Sequence, residues 1–162
     1  MDKEYLLITT GGTLDSEPYS NPHHPPENAV ALAFSIAGKY FSEFMQKRGL
    51  IEGENYDILH WRAQDSKDFT IEQLDELAAI IRTAPHKKII IAHGTDHMVS
   101  NSKTIKKLLQ RNDKTIIFTG AMIPLANDPA HTARHLRRAR QARPPRNQAA
   151  PRRRAWNGSE WS

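Results

Sequence analysis

The sequence predicts an α/β fold, a parallel sheet with helices on both faces. Three observations carry that prediction. Short apolar and β-branched runs alternate with segments of helical periodicity. The run Lys88 to Ala92, with Ile89, Ile90 and Ile91, shows no polar alternation, as expected of a strand buried on both faces. Each run is followed by small, hydroxyl-bearing or carboxylate-bearing residues, which would gather at the carboxyl ends of the strands, where such sheets hold their ligands.

In chain order, Tyr5-Leu6-Leu7-Ile8-Thr9-Thr10 is a buried strand ended by Gly11-Gly12. Residues 15–28 hold four prolines and form a loop. Asn28 to Arg48 is helical, with Val30, Phe34, Ala37, Phe41 and Phe44 at spacings of three and four and Gly49 at its end. Tyr56 to Trp61 is a second strand. Thr70-Ile71-Glu72-Gln73 is a capping-box start for a helix through Leu74, Leu77, Ile80 and Ile81 to Thr83, which Pro85 stops. Lys88 to Ala92 is the third strand, Ser100 to Arg111 a helix with Ile105, Leu108 and Leu109 inward, and Thr115 to Thr119 a fourth strand.

With 162 residues the chain is one domain in size and long enough to bury a core. It has no cysteine, which excludes disulfides, thiol catalysis and Cys-bound zinc. The start, Met1-Asp2-Lys3-Glu4, is unlike a secretory signal, and no apolar run approaches the roughly 20 residues of a membrane span. The expectation is a cytoplasmic protein without membrane segments. The net charge of +5 is unevenly placed. Residues 1–126 carry 14 Lys+Arg against 16 Asp+Glu, whereas residues 127–162 carry 9 against 2, and all 9 are Arg. The division expected is therefore 1–126 as the α/β domain and 127–162 as an Arg-, Pro- and Ala-rich tail.

Thr10-Gly11-Gly12-Thr13 is either a plain tight turn or a loop whose backbone N–H groups approach a substrate beside the Thr13 hydroxyl, an arrangement suited to acyl transfer. A phosphate loop would need a Gly-Lys-Ser/Thr ending, which is missing. In His93-Gly94-Thr95-Asp96 the Asp either binds a substrate ammonium or caps the next helix. His93 and His97 have a metal-ligand spacing but straddle a Gly-Thr turn, so no metal is expected. Asp65-Ser66 before a helix is by itself ordinary turn chemistry.

Together these strings resemble the L-asparaginase family: Ile8-Thr9-Thr10-Gly11-Gly12-Thr13-Leu14-Asp15, Asp65-Ser66, Ala92-His93-Gly94-Thr95-Asp96-His97-Met98, and Thr119-Gly120-Ala121-Met122-Ile123-Pro124. Order and spacing agree over residues 5–126. The length resembles the short, single-domain members. The resemblance implies a Rossmann-like three-layer fold like the N-terminal domain of asparaginases. It also implies hydrolysis of L-asparagine, or of L-glutamine, to the acid and ammonia, with no cofactor, in a homo-oligomer. It makes Thr13 the nucleophile and Thr95 the second catalytic threonine. Asp96 would hold the substrate amino group, and Asp65 and Ser66 its carboxylate and main chain. Gly12 would supply a backbone donor, and Tyr19 is the candidate to activate Thr13. His97 stands where the family usually has Thr. The family also places a lysine near the end of the domain against the second threonine and the aspartate, and this chain has no lysine after Lys114. Arg is no substitute, because it does not deprotonate and has a different shape. An asparaginase-like binding module without turnover is therefore the alternative.

The tail has three readings. It is a disordered nucleic-acid-binding arm, a short amphipathic helix from His131 to Arg143 leading into disorder, or the product of a change of reading frame near Asn127. The abrupt loss of Lys, Ile and Val favours the last. Nucleic acid is expected as a partner only through this tail.

Overall fold

The computed structural model describes residues 3–16, 35–110 and 113–127. Tyr19, the expected helical residues 28–34 and the tail from 128 lie outside the described residues.

Four parallel strands form one sheet: β1 (Tyr5–Thr9), β2 (Tyr56–His60), β3 (Lys88–Ala92) and β4 (Thr115–Thr119), in the order β2-β1-β3-β4. The register is even. Thr9 lies opposite His60 and Ala92, and Ala92 lies opposite Thr119, so the four strands end level. All the loops that follow them share one edge. The strand order reverses between β1 and β3, and a crevice opens at such a switch point.

Three helices complete the layers: α1 (Ile36–Gln46), α2 (Ile71–Thr83) and α3 (Met98–Leu109). Side chains alternate across a strand, so one set faces each layer. Leu6, Ile8, Ile89 and Ile91 pack on Leu74, Leu77, Ala78 and Ile81 of α2 and on Ile105 and Leu109 of α3. Leu7 and Ala92 face the other way, toward Ala37 and Phe41 of α1, with Leu14 beside them. The fold is thus the expected α/β arrangement with helices on both faces of a parallel sheet.

Local sequence sets the helix starts. Thr70 Oγ1 accepts from the backbone N–H of Gln73 at 3.3 Å, and Gln73 Oε1 accepts from the N–H of Thr70 at 3.0 Å, which closes the capping box. Ser35 Oγ accepts from the N–H of Gly38 at 2.9 Å and donates to Asp15 Oδ2 at 2.7 Å. The other Asp15 oxygen accepts from the N–H of Ala37 at 2.8 Å, which fixes the head of α1 to the loop after β1.

Some details differ from the sequence reading. α3 begins at Met98 rather than Ser100, directly after the His-Gly-Thr-Asp loop, and β2 stops at His60 rather than Trp61. Phe44, expected inward, is half exposed under the Arg48 guanidinium, while Met45 is buried. The inward row of α1 runs through Ala37, Phe41 and Met45, an i, i+4, i+8 ridge that drifts away from Phe44. Ile90 is only half-buried, between fully buried Ile89 and Ile91. Among the described residues no helix is long and apolar enough to cross a membrane.

Candidate active site

The loops after β1, β2 and β3 interlock through bare backbone. Gly11 has φ +89 and Gly12 has φ +84, a region that side chains with a Cβ rarely occupy. A Cβ on Gly11 would stand 2.4 Å from the backbone N of Gln64. A Cβ on Gly12 would stand 2.5 Å from Gly94 Cα, and one on Gly94 would stand 2.8 Å from Ser66 Oγ. The three motifs therefore touch because three glycines let them. Thr10 Oγ1 donates to Ala92 O at 3.0 Å, and the Gln64 N–H donates to Thr10 O at 3.0 Å, which adds polar ties under the same contact.

Over this contact lies a cavity of about 500 Å³ lined by Gly12, Thr13, Ser16, Ala63, Gln64, Asp65, Ser66, Gly94, Thr95, Asp96 and Met122. Six of the residues predicted from sequence line it together: Gly12, Thr13, Asp65, Ser66, Thr95 and Asp96. Tyr19 lies outside the described residues.

Thr13 opens a single turn of 3-10 helix, Thr13–Asp15, and is half-buried. Its carbonyl accepts from Ser16 Oγ at 3.0 Å, so the turn closes on its own backbone. Asp65 caps another such turn, Ser66–Asp68, by accepting from the Lys67 N–H at 3.3 Å. It also pairs with Lys67 Nζ at 3.5 Å, and half of its side chain stays open to the cavity mouth. Ser66 is buried beneath it. Thr95 Oγ1 donates to Met122 Sδ at 3.0 Å. The residue that caps α3 by position is His97, so Asp96 is not spent on the helix start. Its carboxylate is largely exposed, with His97 Nδ1 3.4 Å away.

His93 is the one group here with a shifted titration. It is fully buried, its ring 5.2 Å from Phe69 and 5.7 Å from Phe118. Burial pushes its pKa below the ordinary 6.5 and outweighs the opposing pull of Gly94 O and Asp65. Burial therefore favours the neutral imidazole.

Sequence reasoning missed Ser16, Gln64 and Ala63 as lining residues, and quoted Met122 only as part of a string. Ser16 had a signal, a hydroxyl three residues past Thr13 in the same loop. Met122 had only its place in the Gly120-Ala121-Met122 string directly after β4, which puts it at the same sheet edge but does not show that it meets Thr95. Asp15, which holds α1, was also quoted without a role.

The N-terminal asparaginase domain model matches residues 4–146. Two curated relatives are similar: the 60 kDa lysophospholipases of Homo sapiens and Mus musculus, 26% and 24% identical over 139 residues. The match takes in 76% of this chain and only 24% and 25% of theirs. Among solved structures, L-asparaginase I of Vibrio cholerae superposes with a TM-score of 0.60 at 20% identity, over 85% of this chain and 39% of that one. The chain thus spans about a quarter of the length of the curated relatives it matches, and the structural likeness is one of fold.

Proposed function

The chain belongs to the asparaginase family by its match over residues 4–146, and from that premise we propose that the cavity binds L-asparagine and hydrolyses its side-chain amide. One observation carries the reading: the two threonines, the two aspartates and Ser66, which come from three separate loops, line a single cavity at the switch point of the sheet.

In this reading Thr13 Oγ attacks the amide carbon and its proton leaves to a base, for which Tyr19 is the family-implied candidate. Backbone N–H groups at Gly11-Gly12 face the developing oxyanion. The C–N bond breaks, ammonia departs with the transferred proton, and an ester on Thr13 remains. Water, oriented by Thr95, hydrolyses the ester to L-aspartate and free Thr13. Asp96 takes the substrate ammonium, and Asp65 and Ser66 its carboxylate end. Ammonia release by the full chain tests the proposal. Thr13→Ala is expected to lose activity by at least on the order of a thousandfold, as other nucleophile deletions do. Undiminished release would refute the assignment.

A binding module without turnover is the second reading. It is favoured by the partners of Asp96 and Thr95 among the described residues, a histidine and a thioether rather than an ammonium. Calorimetry separates the two. Binding of L-aspartate that depends on Asp96, without ammonia release, selects the module. L-glutamine as a second substrate, a homo-oligomer and a cytoplasmic site of action extend the same proposal. So does the division at residue 126, with any nucleic-acid contact confined to 127–162 and abolished by salt.

A further inference from the structure

Ser66 is held from three sides by the loop and helix that follow β3. Its backbone oxygen accepts from Asn101 Nδ2 at 3.0 Å. Its Oγ accepts from the His97 N–H at 3.2 Å. Its side chain fills the place where Gly94 has no Cβ. Asn101, in the first turn of α3, is buried, and its Nδ2 has a second acceptor in His93 Nε2 at 3.3 Å. The tautomer follows from the other side of the ring. His93 Nδ1 lies 2.8 Å from Gly94 O, a carbonyl that can only accept, so Nδ1 carries the proton and Nε2 offers a lone pair. One amide NH₂ thus donates both its hydrogens, one to each of two separate loops.

We propose that Asn101 is a positioning residue that sets the spacing between the Asp65-Ser66 loop and the Thr95-Asp96 loop, with His93 as the buried acceptor that fixes which way the amide points. Both loops line the cavity, and Asn101 is not among its lining residues. It acts through Ser66. Its effect is assigned to recognition of the substrate main chain, because Asn101 holds Ser66, the residue this reading gives to the substrate carboxylate end. That last step rests on the amino-acid reading of the cavity, whereas the clamp itself does not.

The test uses the full chain, wild type and Asn101→Leu, which keeps the branching at Cγ and removes the donor. A paired variant, Asn101→Leu with His93→Phe, replaces both buried partners by apolar groups and restores much of the stability that the single change loses. Native-state hydrogen exchange reads the clamp without any ligand. The His97 amide is expected to exchange at least about fivefold faster in both variants, the worth of one hydrogen bond. Amides late in α3 should return to wild-type rates in the paired variant. With L-asparagine, KM should rise about fivefold to tenfold with kcat within about twofold, by the same measure. An unchanged His97 rate in the variants overturns the clamp. If wild type binds neither L-asparagine nor L-aspartate, the amino-acid reading falls while the exchange result still decides the clamp. Should Asn101→Leu not fold, imidazole nitrogen shifts of wild-type His93 decide alone: the Nδ1–H tautomer supports the proposal and the Nε2–H tautomer refutes it.

Discussion

On one face of the sheet, Ile89 and Ile91 of β3 are 1% and 0% exposed beneath α2 and α3; on the other, Ile117 of β4, the ladder partner of Ile90, is 53% exposed. Ile116 and Phe118 of β4, which point the same way as Ile89 and Ile91, pack against that covered core. The difference lies within one strand, between adjacent residues. β-Propensity and apolar composition are alike at 116, 117 and 118, so neither sets the burial. What sets it is which helices cross that part of the sheet. Two helices cover one face, and on the other α1 is the helix packed over Leu7 and Ala92 among the described residues. A strand is thus a local product of sequence, whereas its burial is a property of the whole layer.

The largest effect should come from the covered face. Ile91→Ala removes a side chain with no solvent contact from a packed layer and should cost about 2–5 kcal/mol, transfer and cavity together. Urea unfolding measures it. A cost under about 1 kcal/mol would mean that this layer is far looser than its burial implies.

The strand ends belong to neither face, and they sharpen the comparison by removing helix cover altogether. Gly12→Ala places a Cβ 2.5 Å from Gly94 Cα at φ +84. The left-handed penalty and the overpacking should together cost about 2–4 kcal/mol. Any ligand binding in the cavity should also be lost, because Gly94 carries the Thr95-Asp96 loop. A stable Gly12→Ala chain that still binds would show that the loops touch less closely than the backbone contact indicates.

These contrasts explain how much was legible in advance. The strands, α2 with its capping box, and the cavity residues at Thr13, Asp65, Ser66, Thr95 and Asp96 could be read because their signals are local: short apolar runs, a Thr–Gln pair three apart, glycines beside hydroxyls. Phe44 could not be placed because the buried ridge of α1 passes through Phe41 and Met45 instead, and Ile90 because its cover lies on the α1 side, distant in sequence. Met122 and Asn101 could not be assigned, since their partners Thr95 and Ser66 lie 27 and 35 residues away.

The covered face has its own weak point in His93, which continues the row Ile89, Ile91 into the site. Its pKa lies below the unfolded value of about 6.5 because burial disfavours the cation. The folded state therefore binds fewer protons than the unfolded state across the interval between the two values. Its contribution is fully present above pH 6.5, shrinks as pH falls through that interval, and levels off once both states are protonated. Asp65 and Gly94 O pull toward the cation and His97 pushes against it, so Asp65→Asn should steepen the loss. Urea midpoints from pH 7.5 down to 5 should fall in wild type and fall less in His93→Gln. Equal slopes in the two chains would show that His93 is not the group responsible.

The smallest effect should be at Ile117. A side chain already half in water contributes little on leaving it, and on its face α1 is the helix packed over the sheet among the described residues. Full burial of an isoleucine is worth about 1.5–3 kcal/mol, so half of it sets an upper bound near 1 kcal/mol. Ile117→Thr keeps the β-branched shape that a strand favours and should therefore stay within about 0.5 kcal/mol of wild type. The paired measurement with Ile91→Ala uses the same urea titration, so errors in extrapolation largely cancel. If Ile117→Thr instead cost as much as Ile91→Ala, the two faces would be equally covered in solution, by a second copy of the chain or by residues outside those described. Repeating the titration at tenfold lower protein concentration then chooses between them, because cover supplied by a second copy weakens on dilution and cover supplied within the chain does not.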